Sequence, residues 1–123
     1  MSELREVQPV LMSRDVERSL EFYGRLGFAP VFQDSETEPR YAGVRRDGIE
    51  LHLQWHDAAE WETPHDRPTY RFVVEDPDEL HREFGLARVT DMTAPTRTPW
   101  GTYEFHVRDP DLNGLQFYRD ASA

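Results

Sequence analysis

Val10-Leu11-Met12-Ser13-Arg14-Asp15 and, later, Arg71-Phe72-Val73-Val74-Glu75-Asp76 each run an apolar stretch into an aspartate. In both copies the aspartate stands where a helix N-cap belongs. After Asp15 the apolar residues Val16, Leu20, Tyr23 and Leu26 recur at helical spacing, and Gly27 supplies a stop. After Asp76, Pro77 suits a first helical turn, Leu80 and Phe84 continue the apolar face, and Gly85 ends it. Gly48-Ile49-Glu50-Leu51 likewise lies over Gly114-Leu115-Gln116-Phe117. This self-similarity predicts two βαβββ repeats.

Working outward, strands are expected over residues 7–13, 28–33, 40–46 and 49–56, the last two joined by the hairpin pair Asp47-Gly48. The second copy has strands at 69–75, 88–90, 102–107 and 114–118, with a turn over Asp109-Pro110-Asp111-Leu112-Asn113. At 123 residues the chain suits one domain. We read 1–123 as a single α+β domain: repeat 1 (7–56), an acidic loop (57–67) and repeat 2 (68–119). Each repeat covers one sheet face with its helix and leaves the other bare, which predicts a pairing around a shared concavity. The expected form is a cup-shaped, partly open β-sheet barrel with helices outside.

Strand alternation predicts which side chains line that concavity. Leu51, Leu53 and Trp55 belong to the core, leaving Glu50, His52, Gln54 and His56 opposite. Tyr103, Phe105 and Val107 oppose Glu104, His106 and Arg108, while Leu115 and Phe117 oppose Gln116 and Tyr118. The repeat register also superposes Gln8 on Thr69 and Glu50 on Gln116, giving four corner positions on the polar side.

Composition narrows the partners. Lys+Arg 14 against Asp+Glu 24 leaves a net charge of -10, a field that repels nucleic acid and anionic membrane and attracts cations. The absence of cysteine removes disulfides, thiolate zinc sites and cysteine nucleophiles, and fits a reducing cytoplasm. The opening Met1-Ser2-Glu3-Leu4-Arg5-Glu6 is too polar for a secretion signal, so a cytoplasmic location is expected. No nucleophile elbow, phosphate loop or HExxH motif occurs.

The two modules, the segment Asp15-Val16-Glu17-Arg18-Ser19-Leu20-Glu21-Phe22-Tyr23 with Leu26-Gly27-Phe28, and Asp109-Pro110-Asp111 together resemble the vicinal oxygen chelate superfamily. That superfamily includes glyoxalase I, extradiol dioxygenases, fosfomycin-modifying enzymes and bleomycin resistance proteins. The resemblance implies a divalent metal held at the four corners in its enzymes. Here those positions are Gln8, Glu50, Thr69 and Gln116, of which only Glu50 is a strong donor. A rearranged set of Glu50, His52 and His106 has suitable donor types but requires converging strands.

Within the superfamily the sequence most resembles the bleomycin resistance proteins. Counterparts there match Pro9-Val10-Leu11 before Arg14-Asp15-Val16, Tyr41-Ala42-Gly43-Val44 before Arg46-Asp47, and Pro99-Trp100-Gly101 before Glu104-Phe105 and Arg108-Asp109-Pro110. The resemblance implies a homodimer with an exchanged N-terminal strand that sequesters a cationic glycopeptide antibiotic in interface clefts, with no cofactor. It also matches Phe32 and Tyr41 to aromatic ligand contacts. The residues themselves add Trp100, in a Pro- and Gly-bounded loop suited to an exposed stacking platform, and Trp61 in the acidic loop. Asp34, Glu36, Glu38, Glu60 and Glu62 offer charge for a cation. The expected ligand set is therefore Phe32, Tyr41, Glu50, His52, Trp61, Trp100, Glu104, His106, Gln116 and Tyr118. The alternative is a metal-dependent lyase, dioxygenase or thiol transferase of the same fold. The connection from Asp34 to Arg40 and the order Leu112-Asn113-Gly114 depart from the antibiotic binders.

Overall fold

A computed structural model describes residues 2–57, 59 and 68–121. The chain divides into two compact units, Met1–Trp61 and Glu62–Ala123. Unit 1 runs β1 (Val10–Ser13), α1 (Val16–Arg25), β2 (Ala29–Gln33), β3 (Tyr41–Arg46) and β4 (Ile49–Trp55). Unit 2 repeats the pattern as β5 (Thr69–Val73), α2 (Pro77–Leu86), β6 (Thr96–Arg97), β7 (Thr102–Arg108) and β8 (Gly114–Asp120). Each forms its own four-stranded sheet, ordered β1-β4-β3-β2 and β5-β8-β7-β6. In each the first strand is parallel to the last and the remaining pairs are antiparallel. The predicted α+β fold with two βαβββ copies is what the chain adopts.

The helices start where the aspartates predict. Asp15 Oδ1 accepts from the Arg18 N–H at 3.2 Å, and Asp76 Oδ1 from the Glu79 N–H at 3.0 Å. In unit 1 the α1 side chains Val16 and Tyr23 are buried with Leu11, Val44, Leu51 and Leu53 of the sheet. Ser13 and Ser19, both buried there, satisfy one another through hydroxyls 2.7 Å apart. Unit 2 relies on rings: Phe84 packs edge-on against Phe117, which stacks on Phe105 and Phe72. Each such buried side chain contributes roughly 1.5–3 kcal/mol.

Three local expectations change. β1 begins at Val10 rather than residue 7, and residues 2–8 are exposed. Ahead of β1 the Pro9 carbonyl, accepting from the His52 N–H at 2.8 Å, prolongs the ladder. The expected strand at 88–90 is instead the exit of α2: Arg88 takes φ 68, and Val89 N–H returns to the Phe84 carbonyl at 3.0 Å. Val89 is buried there without strand pairing, its apolar side chain having imitated a strand, and Gly85 lies inside the helix. The short β6 edge strand forms further on.

Register supplies the third change. Val10 faces His52 across β1 and β4, whereas Arg71 faces Gln116 across β5 and β8. Matching Asp15 to Asp76, and so Val10 to Arg71, makes His52 the counterpart of Gln116 and Glu50 that of Gly114. The ladders thus displace the superposition of Glu50 on Gln116 by one strand pleat.

Candidate functional site

In unit 1 the predicted alternation holds at the centre of β4: Leu51 and Leu53 are buried in the core, and Glu50 and His52 share the other face, while Trp55, expected in the core, is half-buried at the strand end beneath the Arg40 guanidinium. Pairing of β3 with β4 sets Gly43 opposite His52 and Arg45 opposite Glu50. A continuous chain of hydrogen bonds follows. Arg45 donates to Glu50 Oε1 from Nη2 at 2.9 Å and Nε at 3.3 Å. His52 Nε2 lies 2.7 Å from Glu50 Oε2, and His52 Nδ1 lies 2.7 Å from the Tyr41 hydroxyl. An ionised carboxylate only accepts, so Nε2 carries the proton. The other ring nitrogen meets the Tyr41 hydroxyl. The bond from His52, helped by Arg45, holds the Glu50 carboxyl below its ordinary range against the opposing effect of burial.

Phe32 closes this cluster. It stacks on Tyr41 at 5.9 Å with 19° between planes and meets His52 edge-on at 5.2 Å. That position exists because residue 43 is glycine: a Cβ there would lie 2.9 Å from Phe32 Cδ1 and closer still to Cε1. The result is a partly exposed aromatic wall backed by a filled polar network. The polar residues of this face engage one another, and His52 is only 9% exposed.

Unit 2 presents a second network, centred on Glu104, which is 3% exposed. Oε1 accepts from Thr102 Oγ1 at 2.6 Å and from the Trp100 indole N–H at 3.2 Å. Oε2 accepts from His106 Nε2 at 2.6 Å and Arg71 Nη1 at 3.2 Å. Arg71 also donates to Gln116 Oε1 and lies 4.0 Å over the Tyr118 ring. Burial alone would raise the Glu104 carboxyl; hydrogen bonds from Thr102, His106 and Arg71, with the Arg71 charge, outweigh it and hold it at about 2.

Trp100 itself is 68% exposed, as its loop predicts. A tight turn carries it: Gly101 adopts φ 90 and its N–H donates to the Thr98 carbonyl at 3.2 Å, while the Thr98 and Thr102 hydroxyls lie 2.8 Å apart.

The structure thus gathers Phe32, Tyr41, Glu50 and His52 in one unit and Trp100, Glu104, His106, Gln116 and Tyr118 in the other. Trp61, with Glu60 and Glu62, lies outside the described residues. Asp34 has a local task, its Oδ1 accepting from the Arg40 N–H at 2.9 Å and the Tyr41 N–H at 3.3 Å, bonds that lower its carboxyl. Sequence reading passed over Arg45, Arg71, Gly43 and Thr102. Alternation puts Arg71 on the same face as Thr69, which was the available signal.

The donor chemistry can be tested against a divalent metal. Gln8 and Thr69 are exposed, and Gln8 lies before β1. Glu50 is occupied by Arg45 and His52, and the Gln116 carbonyl by the guanidinium of Arg71. Among the described residues no three His, Asp or Glu side chains form a metal-binding group. Arginine on one donor pair and a neutral amide and hydroxyl on the rest do not fit a dication.

The model of the Glyoxalase/Bleomycin resistance protein/Dioxygenase superfamily matches residues 7–117. No curated protein matches the sequence. Among solved structures, a bleomycin-binding protein from bleomycin-producing Streptomyces verticillus, complexed with copper(II)-bleomycin, is 33% identical, with a TM-score of 0.76 over 95% of this chain and 97% of the other. A bleomycin resistance determinant encoded on the transposon Tn5 is 22% identical, with a TM-score of 0.79 over 95% and 98%. A glyoxalase-related enzyme from Clostridium phytofermentans is 20% identical, with a TM-score of 0.75 over 97% of both chains. The last two likenesses concern the fold.

Proposed function

The chain belongs to the Glyoxalase/Bleomycin resistance protein/Dioxygenase superfamily, and from that premise we propose that it is a metal-free binding protein that sequesters a cationic, aromatic small molecule of the bleomycin kind. The two repeats form one ligand-binding domain, and the guest is held in clefts between the subunits of a cytoplasmic homodimer. One observation carries this reading: Arg45 sits on Glu50 and Arg71 on Gln116, so fixed organic cations already serve two of the corner donors a metal would need. What the exposed surface offers instead is rings, Phe32 and Tyr41 in one unit and Trp100 in the other. A flat or cationic group gains roughly 0.5–2 kcal/mol over such a ring.

The test combines metal analysis with titration. Protein purified without chelator is assayed for metal and then titrated with metal-free bleomycin while tryptophan fluorescence is followed. Substoichiometric metal and a saturable change that Trp100→Ala largely removes support the proposal; one tightly held metal per chain, or a flat titration, sinks it.

A second reading, an enzyme of the same fold, draws on the hydrogen-bonded chain from Tyr41 through His52 to Glu50, which is arranged for proton transfer. Mass spectrometry of the drug released by denaturation separates the two. Unaltered drug supports sequestration, and altered drug supports catalysis.

A further inference from the structure

Trp100 combines two properties that rarely coincide: its ring is mostly exposed, yet its N–H ends on a carboxylate that is almost wholly buried. The four donors on Glu104 fill both oxygens, so the carboxylate has no capacity left for a ligand. Two of those donors anchor it to the sheet: Arg71 comes from β5 and His106 from β7. The other two, Trp100 and Thr102, belong to the turn and to the strand that follows it. Thr98 and Gly101 shape that turn but leave the indole torsions unset.

We propose that Glu104 is a positioning residue, which fixes the exposed Trp100 ring at the angle a ligand meets and does not itself touch the ligand. This rests on the binding reading above and revises the place of Glu104 within it. The mechanism depends on charge. A carboxylate presents acceptors to all four donors, whereas the amide introduced by Glu104→Gln would present one oxygen and one NH2. Arg71, as the permanent cation, takes the oxygen, turning the NH2 toward Trp100 and Thr102. A hydroxyl can rotate to accept, but an indole N–H cannot. The ring is released while the packing volume is unchanged.

The experiment uses the full chain with Trp55→Phe and Trp61→Phe, leaving Trp100 as the only tryptophan. In that background Glu104→Gln is expected to lower Trp100 anisotropy and shift its emission to longer wavelength, with the circular dichroism spectrum retained; in the otherwise unchanged chain, which keeps Trp61, it should weaken metal-free bleomycin about tenfold. In the parent chain, Trp100→Phe keeps a ring but lacks the N–H, and should weaken binding about as much. The double variant should lose no more than about twofold beyond either single one. Unchanged anisotropy in Glu104→Gln, or wild-type affinity in Trp100→Phe, would overturn the proposal. Losses that multiply in the double variant would also overturn it, since they would make Glu104 a direct contact. Should Glu104→Gln fail to fold, Trp100→Phe still decides, because its site is on the surface. If bleomycin binds no form of the protein but anisotropy still drops in Glu104→Gln, positioning stands and the ligand assignment falls.

Discussion

A missing side chain decides the unit 1 cluster. Gly43→Ala would put a Cβ into Phe32, whose ring must then leave Tyr41 and His52. Overpacking of this kind costs about 1–3 kcal/mol. Thermal melts should show Gly43→Ala destabilised by that amount, and the Phe32→Ala, Gly43→Ala double variant less destabilised than the sum of the two singles. Additive losses would mean that the ring was never in the way. Glu104 gives the second residue-scale prediction. Its folded value of about 2 lies below the ordinary glutamate value of about 4.3, so its stabilisation is fully present above the latter and disappears as pH falls through the former. On the order of 3 kcal/mol is at stake. Denaturant midpoints between pH 6 and pH 2 should fall more steeply for the wild type than for Glu104→Gln; parallel curves would refute this. Alternation in the sequence identified Glu50, His52, Glu104 and His106 as sharing faces. It could not foresee that His52 and Glu104 are buried and that all four are engaged, because that depends on cross-strand partners such as Arg45 and Arg71, which register alone brings into reach.

Elements that carry their own punctuation were legible. Both helix caps, the Asp47-Gly48 hairpin and the Asp109 turn form where the sequence places them, since each is decided by contacts within a few residues. The second repeat's edge was not: Val89 is buried by the helix exit, and β6 is too short at Thr96–Arg97 to leave a periodic signal. The Asp109 turn also exposes an unfavourable choice. Asp109 Oδ1 accepts from the N–H groups of Asp111 and Asn113, both at 2.9 Å, and this folds the chain so that Leu112 takes φ 67. A leucine in the left-handed region costs roughly 1–2 kcal/mol, against the roughly 0.5–1 kcal/mol of extra chain entropy that glycine brings. Since Leu112 is exposed, Leu112→Gly should raise the denaturation midpoint slightly, by an amount equivalent to about 0.5–1 kcal/mol, and Leu112→Val should lower it. A drop for glycine would mean that the side chain makes a contact worth more than the strain.

Charge acts on the scale of the whole molecule. Several acids of the -10 total are bound into local structure: Asp15 and Asp76 cap helices, Asp34 and Asp109 fold turns, and Glu50 and Glu104 hold side-chain networks. The oxygens of Glu104 are not available to grip a guest, yet the excess of negative charge still shapes the field outside. Steering and grip should therefore separate. A cationic ligand should be drawn in by the net charge, an effect screened over about 10 Å at 0.1 M salt, and retained by rings whose contacts salt hardly alters. Stopped-flow fluorescence with metal-free bleomycin should show the association rate falling several-fold between 20 and 300 mM NaCl while dissociation changes little. Trp100→Ala should do the reverse, speeding dissociation at every salt concentration and leaving the slope of association against salt intact. If salt instead acted mainly on dissociation, the acids would have to touch the ligand. The filled valences of Glu104 would then open on binding, and the separation of field from contact would fail.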